Sequence, residues 1–172
     1  SDYRVVANIP YNITSAVIRK LIEAESTPDL VVLTVQREVA KRIVAEPGEM
    51  SLLALSVQLY GNPSLEGNIS RNAFYPSPDV DSAVLKINLK PDLPLSADEV
   101  DRLFNLARAG FQQRRKQLRN SLGHGTSLSR EEVDQVMEAA GVSPKRRPQS
   151  LSVTEWIELT RRVSSFRRQG ES

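Results

Sequence analysis

Cysteine is absent from this 172-residue chain. Its absence excludes disulfides, thiolate metal sites and cysteine nucleophiles. Histidine occurs once, as His124 between two glycines; it reads as a loop residue without a role, and no metal is expected. No apolar run approaches the ~20 residues that a membrane-crossing helix needs. Residues Ser1 to Val6 lack the basic region and apolar stretch of a secretory leader. Internal repeats are also missing. These absences point to a soluble cytoplasmic protein with no membrane partner, expected as a monomer. With 40% hydrophobic and 26% charged residues, the chain has the composition of an ordinary globular protein and not of a disordered one.

The formal charge of +2 is unevenly spread. Residues 1–92 hold 9 Lys/Arg against 11 Asp/Glu, whereas residues 93–172 hold 14 against 10. A basic C-terminal half suits a polyanionic partner such as nucleic acid, although a solvated charged surface would give the same count.

The hydrophobic pattern changes character at the same place. Arg4 to Ala7 reads as a short buried strand, stopped at Asn8-Ile9-Pro10-Tyr11 because Pro10 cannot donate to a sheet ladder and biases Ile9 away from helix. A helix follows, with Thr14 or Ser15 as its cap and Val17, Ile18, Leu21 and Ile22 on one face. Leu30 to Val35 is β-branched and continuously apolar, as in a strand buried on both faces. Glu38 to Val44 reads as a helix ended by Pro47-Gly48, Ser51 to Tyr60 as a buried helix, and Leu65 to Ile69 as a strand. Phe74-Tyr75-Pro76-Ser77-Pro78 must be a loop. Ser82 to Leu89 alternates, with Ala83, Leu85, Ile87 and Leu89 inward and Ser82, Lys86 and Asn88 opposite. Alternating strands and helices predict an α/β layer with a parallel sheet and an optional antiparallel end. Such a sheet beginning at Val5, with about four strands, needs something to cover its edge, and the chain is expected to be a piece of a larger domain.

Past Lys90 to Pro94, a linker by composition, everything is helical. Val100, Leu103, Phe104, Ala107, Phe111, Leu118 and Leu122 keep a helical period that predicts one helix from about Asp98 to Leu122, ended by Gly123. Ser129 with Glu132 and Ser152 with Glu155 are capping-box pairs. They open helices that bury Val133, Val136, Met137 and Ala140, then Trp156, Leu159, Val163 and Phe166.

One short motif carries chemistry. Asn8-Ile9-Pro10-Tyr11 directly follows a strand and resembles the Asn-Pro-Pro-Tyr motif of methyltransferases that act on amino groups of nucleic acids. An adenine N6 amine is a poor nucleophile because its lone pair is delocalised into the ring. The Asn8 side-chain oxygen can accept one amine hydrogen and the Ile9 carbonyl another. Pro10 stiffens the turn that presents that carbonyl, and Tyr11 offers a flat face to an extruded base. Positioning and electrostatics would supply the catalysis without a strong base. A plain strand-to-helix turn with an Asn cap would show the same four residues.

Four ordered blocks extend the likeness over nearly the whole chain. They are Val5 to Ile13, Val35 to Arg42, Phe74 to Val84, and Phe111-Gln112-Gln113-Arg114-Arg115-Lys116-Gln117-Leu118-Arg119-Asn120-Ser121-Leu122. In these blocks the chain resembles the ribosomal RNA adenine dimethyltransferases, which dimethylate two adjacent adenosines near the 3′ end of small-subunit rRNA. The resemblance implies the C-terminal half of a Rossmann-like S-adenosylmethionine-dependent catalytic domain over residues 1–92, then a small all-helical rRNA-binding domain over 93–172. It implies that Asn8 lies beside the methyl donor and that Phe74 is the second aromatic of the base pocket, facing Tyr11. RNA contacts would come from Arg114, Arg115, Lys116, Arg119 and Asn120, read as a basic patch on a helix with an apolar opposite face. The partner would be the small-subunit rRNA or a pre-30S-type particle.

The chain departs from the family in one large respect. Members carry a Gly-rich cofactor loop after their first strand, followed by acidic residues for the ribose and adenine of S-adenosylmethionine. Here only Gly123-His124-Gly125 has a Gly-x-Gly form, and it follows a helix. A chain starting at about the fourth strand, with weak cofactor binding and no turnover of its own, is the expectation. Two other readings stay open: the erythromycin-resistance methyltransferases of large-subunit rRNA, which share Asn-Ile-Pro-Tyr, and a non-catalytic RNA-binding, assembly or transcription factor of the same fold.

Overall fold

A computed structural model describes residues 3–126 and 128–170. Four strands, β1 (Arg4–Asn8), β2 (Leu30–Gln36), β3 (Gly61–Ile69) and β4 (Ser82–Leu89), form one sheet in the order β1-β2-β4-β3. Only β1 and β2 run parallel, in a register that sets Asn8 opposite Thr34. Strand β4 lies antiparallel to both β2 and β3. The expected sheet, parallel with an antiparallel end, is formed: β1 and β2 supply the parallel part, and β4 returns antiparallel from β3 through a loop, since a parallel partner would need a crossover connection.

Strand β2 is central, and its burial alternates: Val31, Leu33 and Val35 are buried while Leu30, Val32 and Thr34 are half-buried. Strand β1 lies at an edge of this sheet, with Val6 77% exposed, so it is not the buried strand its apolar run suggests. On the covered face, Val31, Leu33, Val35, Ala83, Leu85 and Ile87 pack with Ile18 and Ile22 of α1 (Thr14–Ile22) and with Ala40 and Ile43 of α2 (Arg37–Ile43). Each fully buried aliphatic side chain of this kind contributes roughly 1.5–3 kcal/mol. Thr14 does not cap α1. It is the first helical residue and is buried, while a short 3-10 turn, Tyr11–Ile13, leads in.

Helix α3 (Leu52–Tyr60) precedes β3. The Gln58 amide donates to the Ile43 and Ala45 carbonyls at 2.9 and 2.8 Å, and Lys90 Nζ caps the end of α3 by donating to the Gln58 and Leu59 carbonyls at 2.8 and 3.1 Å. Burial lowers the Lys90 pKa from its ordinary value. Pro63 is tolerated because β3 pairs on one side only.

The chain divides into two compact units. One holds residues 1–45 and 53–93, and the other residues 46–52 and 94–172. The short segment joins the helical unit through the Gly48 and Met50 amides, which donate to the Gln149 carbonyl at 2.8 and 3.1 Å, and Met50 is fully buried.

In the helical unit, α4 (Ala97–Gln112) opens on a capping box in which Ser96 N–H donates to the Glu99 carboxylate at 2.9 Å. These backbone and side-chain bonds with Ser96 hold the Glu99 carboxyl below its ordinary pKa. The predicted single helix to Leu122 does not exist. Helix α4 stops at Gln112, residues 113–117 turn, and α5 runs Leu118–Gly125, so Gly123 lies inside a helix and does not end one. The apolar period survives the break because Leu118 and Leu122 still reach the core. The Leu118 amide, an orphan donor at the start of α5, is met by the Arg146 carbonyl at 2.7 Å. A Cβ on Gly110 would lie 2.9 Å from both Leu118 Cδ1 and Trp156 Cη2, so only glycine lets α4 approach α5 and α7 (Val153–Gly170) this closely. Helix α6 (Arg130–Ala139) carries the Ser129/Glu132 capping box and is closed by Gly141 at φ 71°. The Ser152/Glu155 pair caps α7, with both bonds formed.

Candidate active site and basic turn

Asn8 ends β1, with Ile9 and Pro10 following as extended chain. Its side chain is exposed at the carboxyl end of the parallel pair, the end at which open α/β sheets present ligands. Ile9 and Tyr11 are half-buried. The 3-10 turn at Tyr11 has no side-chain cap, and no residue in it is buried. What joins it to the sheet is the Tyr11 hydroxyl, which shares a hydrogen bond with Ser82 at the start of β4. Ser82 is fully buried and sits between Gln36 of β2 and Ile69 of β3. The alternating pattern had placed it on the polar face.

Phe74 follows a second 3-10 turn, Arg71–Ala73, and is half-buried. Its loop is closed on Asp81. The Arg71 amide donates to Asp81 Oδ1 at 3.1 Å, Arg71 Nη1 to the Asp79 carbonyl at 3.3 Å, and Ser77 Oγ to the Arg71 carbonyl at 2.9 Å. Asp81 also pairs with Arg37 at 3.3 Å, and its carbonyl accepts the Arg37 amide at 3.0 Å. Tyr11 and the Phe74 loop are therefore anchored on two consecutive residues, Ser82 and Asp81. Sequence reasoning missed both anchors. Neither carries a local signal, because their partners lie from 10 to 71 residues away.

Arg114, Arg115 and Lys116 are exposed in the turn between α4 and α5, not on a helix face. With Phe111, Gln112 and Gln113 they line an open hollow of about 610 Å³. None of the three cations forms a salt bridge among the described residues. Arg119, by contrast, is engaged: its Nη1 donates to Asp134 at 3.1 Å and it is largely withdrawn from solvent. Asn120 is exposed on α5. Arg146 is likewise a scaffold residue, bonded to both Glu155 oxygens and to Ser150, with Lys145 and Arg147 exposed on either side.

These residues fit the acceptor side of a methyl transfer and only a small part of a cofactor site. Among the described residues no glycine follows a strand and opens a helix, and no group of His, Asp or Glu could hold a metal ion. Asn8, exposed at the carboxyl end of β1, is the one residue read as reaching toward the cofactor. No helix among the described residues is long and apolar enough to cross a membrane.

The architecture is that of the Rossmann-like rRNA methyltransferases. The structure of a dimethyladenosine transferase from Plasmodium falciparum superposes with TM-score 0.77 at 27% identity, covering 97% of this chain and 67% of that one. The 23S rRNA methyltransferase ErmE superposes with TM-score 0.73 at 23% identity over 95% of this chain and 66% of its own, a likeness of fold. The family model described as ribosomal RNA adenine dimethylase matches residues 1–163, and the chain belongs to that family. Proteins named ribosomal RNA small subunit methyltransferase A are similar in sequence. Those of two Dehalococcoides mccartyi strains, 195 and CBDB1, are 48% and 49% identical over 90% and 91% of this chain. The Chlamydia muridarum protein is 39% identical over 95% of this chain. The chain spans about half the length of these relatives, 53%, 54% and 59% respectively.

Proposed function

We propose that this chain supplies the acceptor half of an S-adenosylmethionine-dependent enzyme that dimethylates the N6 amines of two adjacent adenosines near the 3′ end of small-subunit rRNA. The observation that carries the proposal is the exposed Asn8 side chain at the end of β1, followed at once by Ile9, Pro10 and a Tyr11 fixed by its hydroxyl. The relatives named for the small subunit, more similar in sequence than the large-subunit enzyme of like fold, support the choice of RNA.

When bound, S-adenosylmethionine supplies an electrophilic methyl group. This chain's residues handle the amine. The Asn8 carboxamide oxygen and the Ile9 carbonyl accept its two hydrogens, which draws the lone pair out of conjugation and aims it. The target base leaves the RNA strand and stacks on Tyr11, with Phe74 as the second wall; each such contact is worth roughly 1–3 kcal/mol. Because the Tyr11 hydroxyl is engaged by Ser82, the ring face, and not the hydroxyl, is what the base meets. Arg114, Arg115 and Lys116 hold phosphates of the rRNA or of a pre-30S-type particle, where contacts orient the substrate without reading its sequence.

The test is primer extension across both rRNAs after reaction with the full-length enzyme. Two adjacent stops near the 3′ end of the small-subunit rRNA are expected. A stop in the large subunit alone would reject the assignment.

A further inference from the structure

Resting on the reading of Tyr11 as the base support, we propose that Ser82 is a positioning residue for the methyl transfer, and that the consecutive pair Asp81-Ser82 sets the places of the two aromatic walls. The segment from Ile9 to Ile13 has few restraints of its own. It contains no buried residue, its 3-10 turn has no side-chain cap, and the internal backbone bond from the Ile13 amide to the Pro10 carbonyl is 3.3 Å long. Strand pairing holds the chain as far as Asn8, and helix α1 takes over at Thr14. Between these points the Tyr11–Ser82 bond ties the turn to the sheet, across 71 residues of sequence.

Ser82 can serve as a fixed post because it does not move with the turn. It is fully buried and belongs to a strand paired on both sides, to Gln36 and to Ile69. A hydroxyl in such a place either finds a partner or carries a desolvation cost, and its partner is the Tyr11 hydroxyl. Phenylalanine at position 11 would stack as well as tyrosine does, so stacking alone leaves the hydroxyl unexplained; fixing the ring explains it. One residue earlier, the Asp81 carboxylate holds the Arg71 amide and the Arg37 guanidinium, closing the loop that carries Phe74. A backbone shift at this one point of β4 would move both walls together, which keeps the gap between them constant. The consequence is a pocket preset for a planar base before RNA arrives.

A double-mutant cycle in the full-length enzyme tests this, with kcat measured at saturating RNA and melting temperature followed in parallel. Ser82→Ala and Tyr11→Phe should each lower kcat by roughly three- to tenfold, the range that one neutral hydrogen bond supports. The double variant should be no slower than either single variant. RNA carrying 2-aminopurine at the target position should show weaker quenching with each. A purely structural role for Ser82 would slow the enzyme equally in the Tyr11→Phe background, so additive losses would overturn the proposal. So would a Tyr11→Phe enzyme with the parent kcat while Tyr11→Ala is impaired; base support by Tyr11 would stand in that case. An unimpaired Tyr11→Ala enzyme would instead overturn the base-support reading itself.

Discussion

Arg114, Arg115, Lys116 and Arg119 look alike in the sequence, but the fold gives them different work. The first three are exposed and form no salt bridge among the described residues, whereas Arg119 is spent on Asp134. Removing one member of such a partly withdrawn pair leaves its partner uncompensated. Arg119→Met should therefore lower stability by about 1–2 kcal/mol, read as a lower melting temperature, while the salt dependence of RNA binding stays at the parent slope. A flattened slope with unchanged melting would make Arg119 an RNA contact after all. Side-chain partners of this kind could not be read from spacing, since Arg119 and Asp134 belong to different helices. Ser82 shows the same blindness: alternation along β4 assigned it to the open face, whereas the fold buries it fully. The turn Asn8-Ile9-Pro10-Tyr11 was legible because its signal is local, four residues at the end of one strand.

At the scale of elements, the helix starts show what local rules can do. Ser129/Glu132 and Ser152/Glu155 were readable as capping boxes and both form. Ser96/Glu99 has the same spacing and was hidden by its place behind a Pro-rich linker. The break between α4 and α5 was not legible. Gln112 to Gln117 consists of good helix formers, and the apolar period carries on past it, so the turn is imposed from outside by the Arg146 carbonyl on the Leu118 amide and by close packing at Gly110. Arg146 itself is fixed by Glu155. Burial alone would raise the Glu155 carboxyl, but hydrogen bonds from Arg146 and Ser152 outweigh it and hold the pKa below the ordinary value. A carboxyl whose folded pKa is depressed contributes stability above its unfolded value of roughly 4.3, and loses it as pH falls through the lower folded value. Glu155→Gln should thus melt lower than the parent near neutral pH, by the equivalent of about 1 kcal/mol. The two curves should converge below about pH 4, and a gap that persists in acid would contradict the role given to Arg146.

For the whole molecule, the basic half presents Arg114, Arg115 and Lys116 as three consecutive exposed cations in one turn. Replacing Arg114, Arg115 and Lys116 together by glutamine in the full-length enzyme should weaken RNA binding and reduce the slope of log K against log salt by roughly two to three. Melting temperature should change little, because none of the three makes a salt bridge among the described residues. An unaltered slope would place the RNA elsewhere. The α/β character and the change to helices near residue 93 were visible in the hydrophobic periods. The strand order was not, because β4 pairs with β2 through contacts that no local pattern encodes.

The central claim is that Asn8 holds the amine that receives the methyl group. It is tested most directly by single-turnover methyl transfer with Asn8→Ala in the full-length enzyme, with RNA affinity measured on the same samples. A fall of roughly a hundredfold in rate, as for loss of one preorganised transition-state contact, with affinity for RNA nearly unchanged, is the predicted result. Transfer at the parent rate would contradict it.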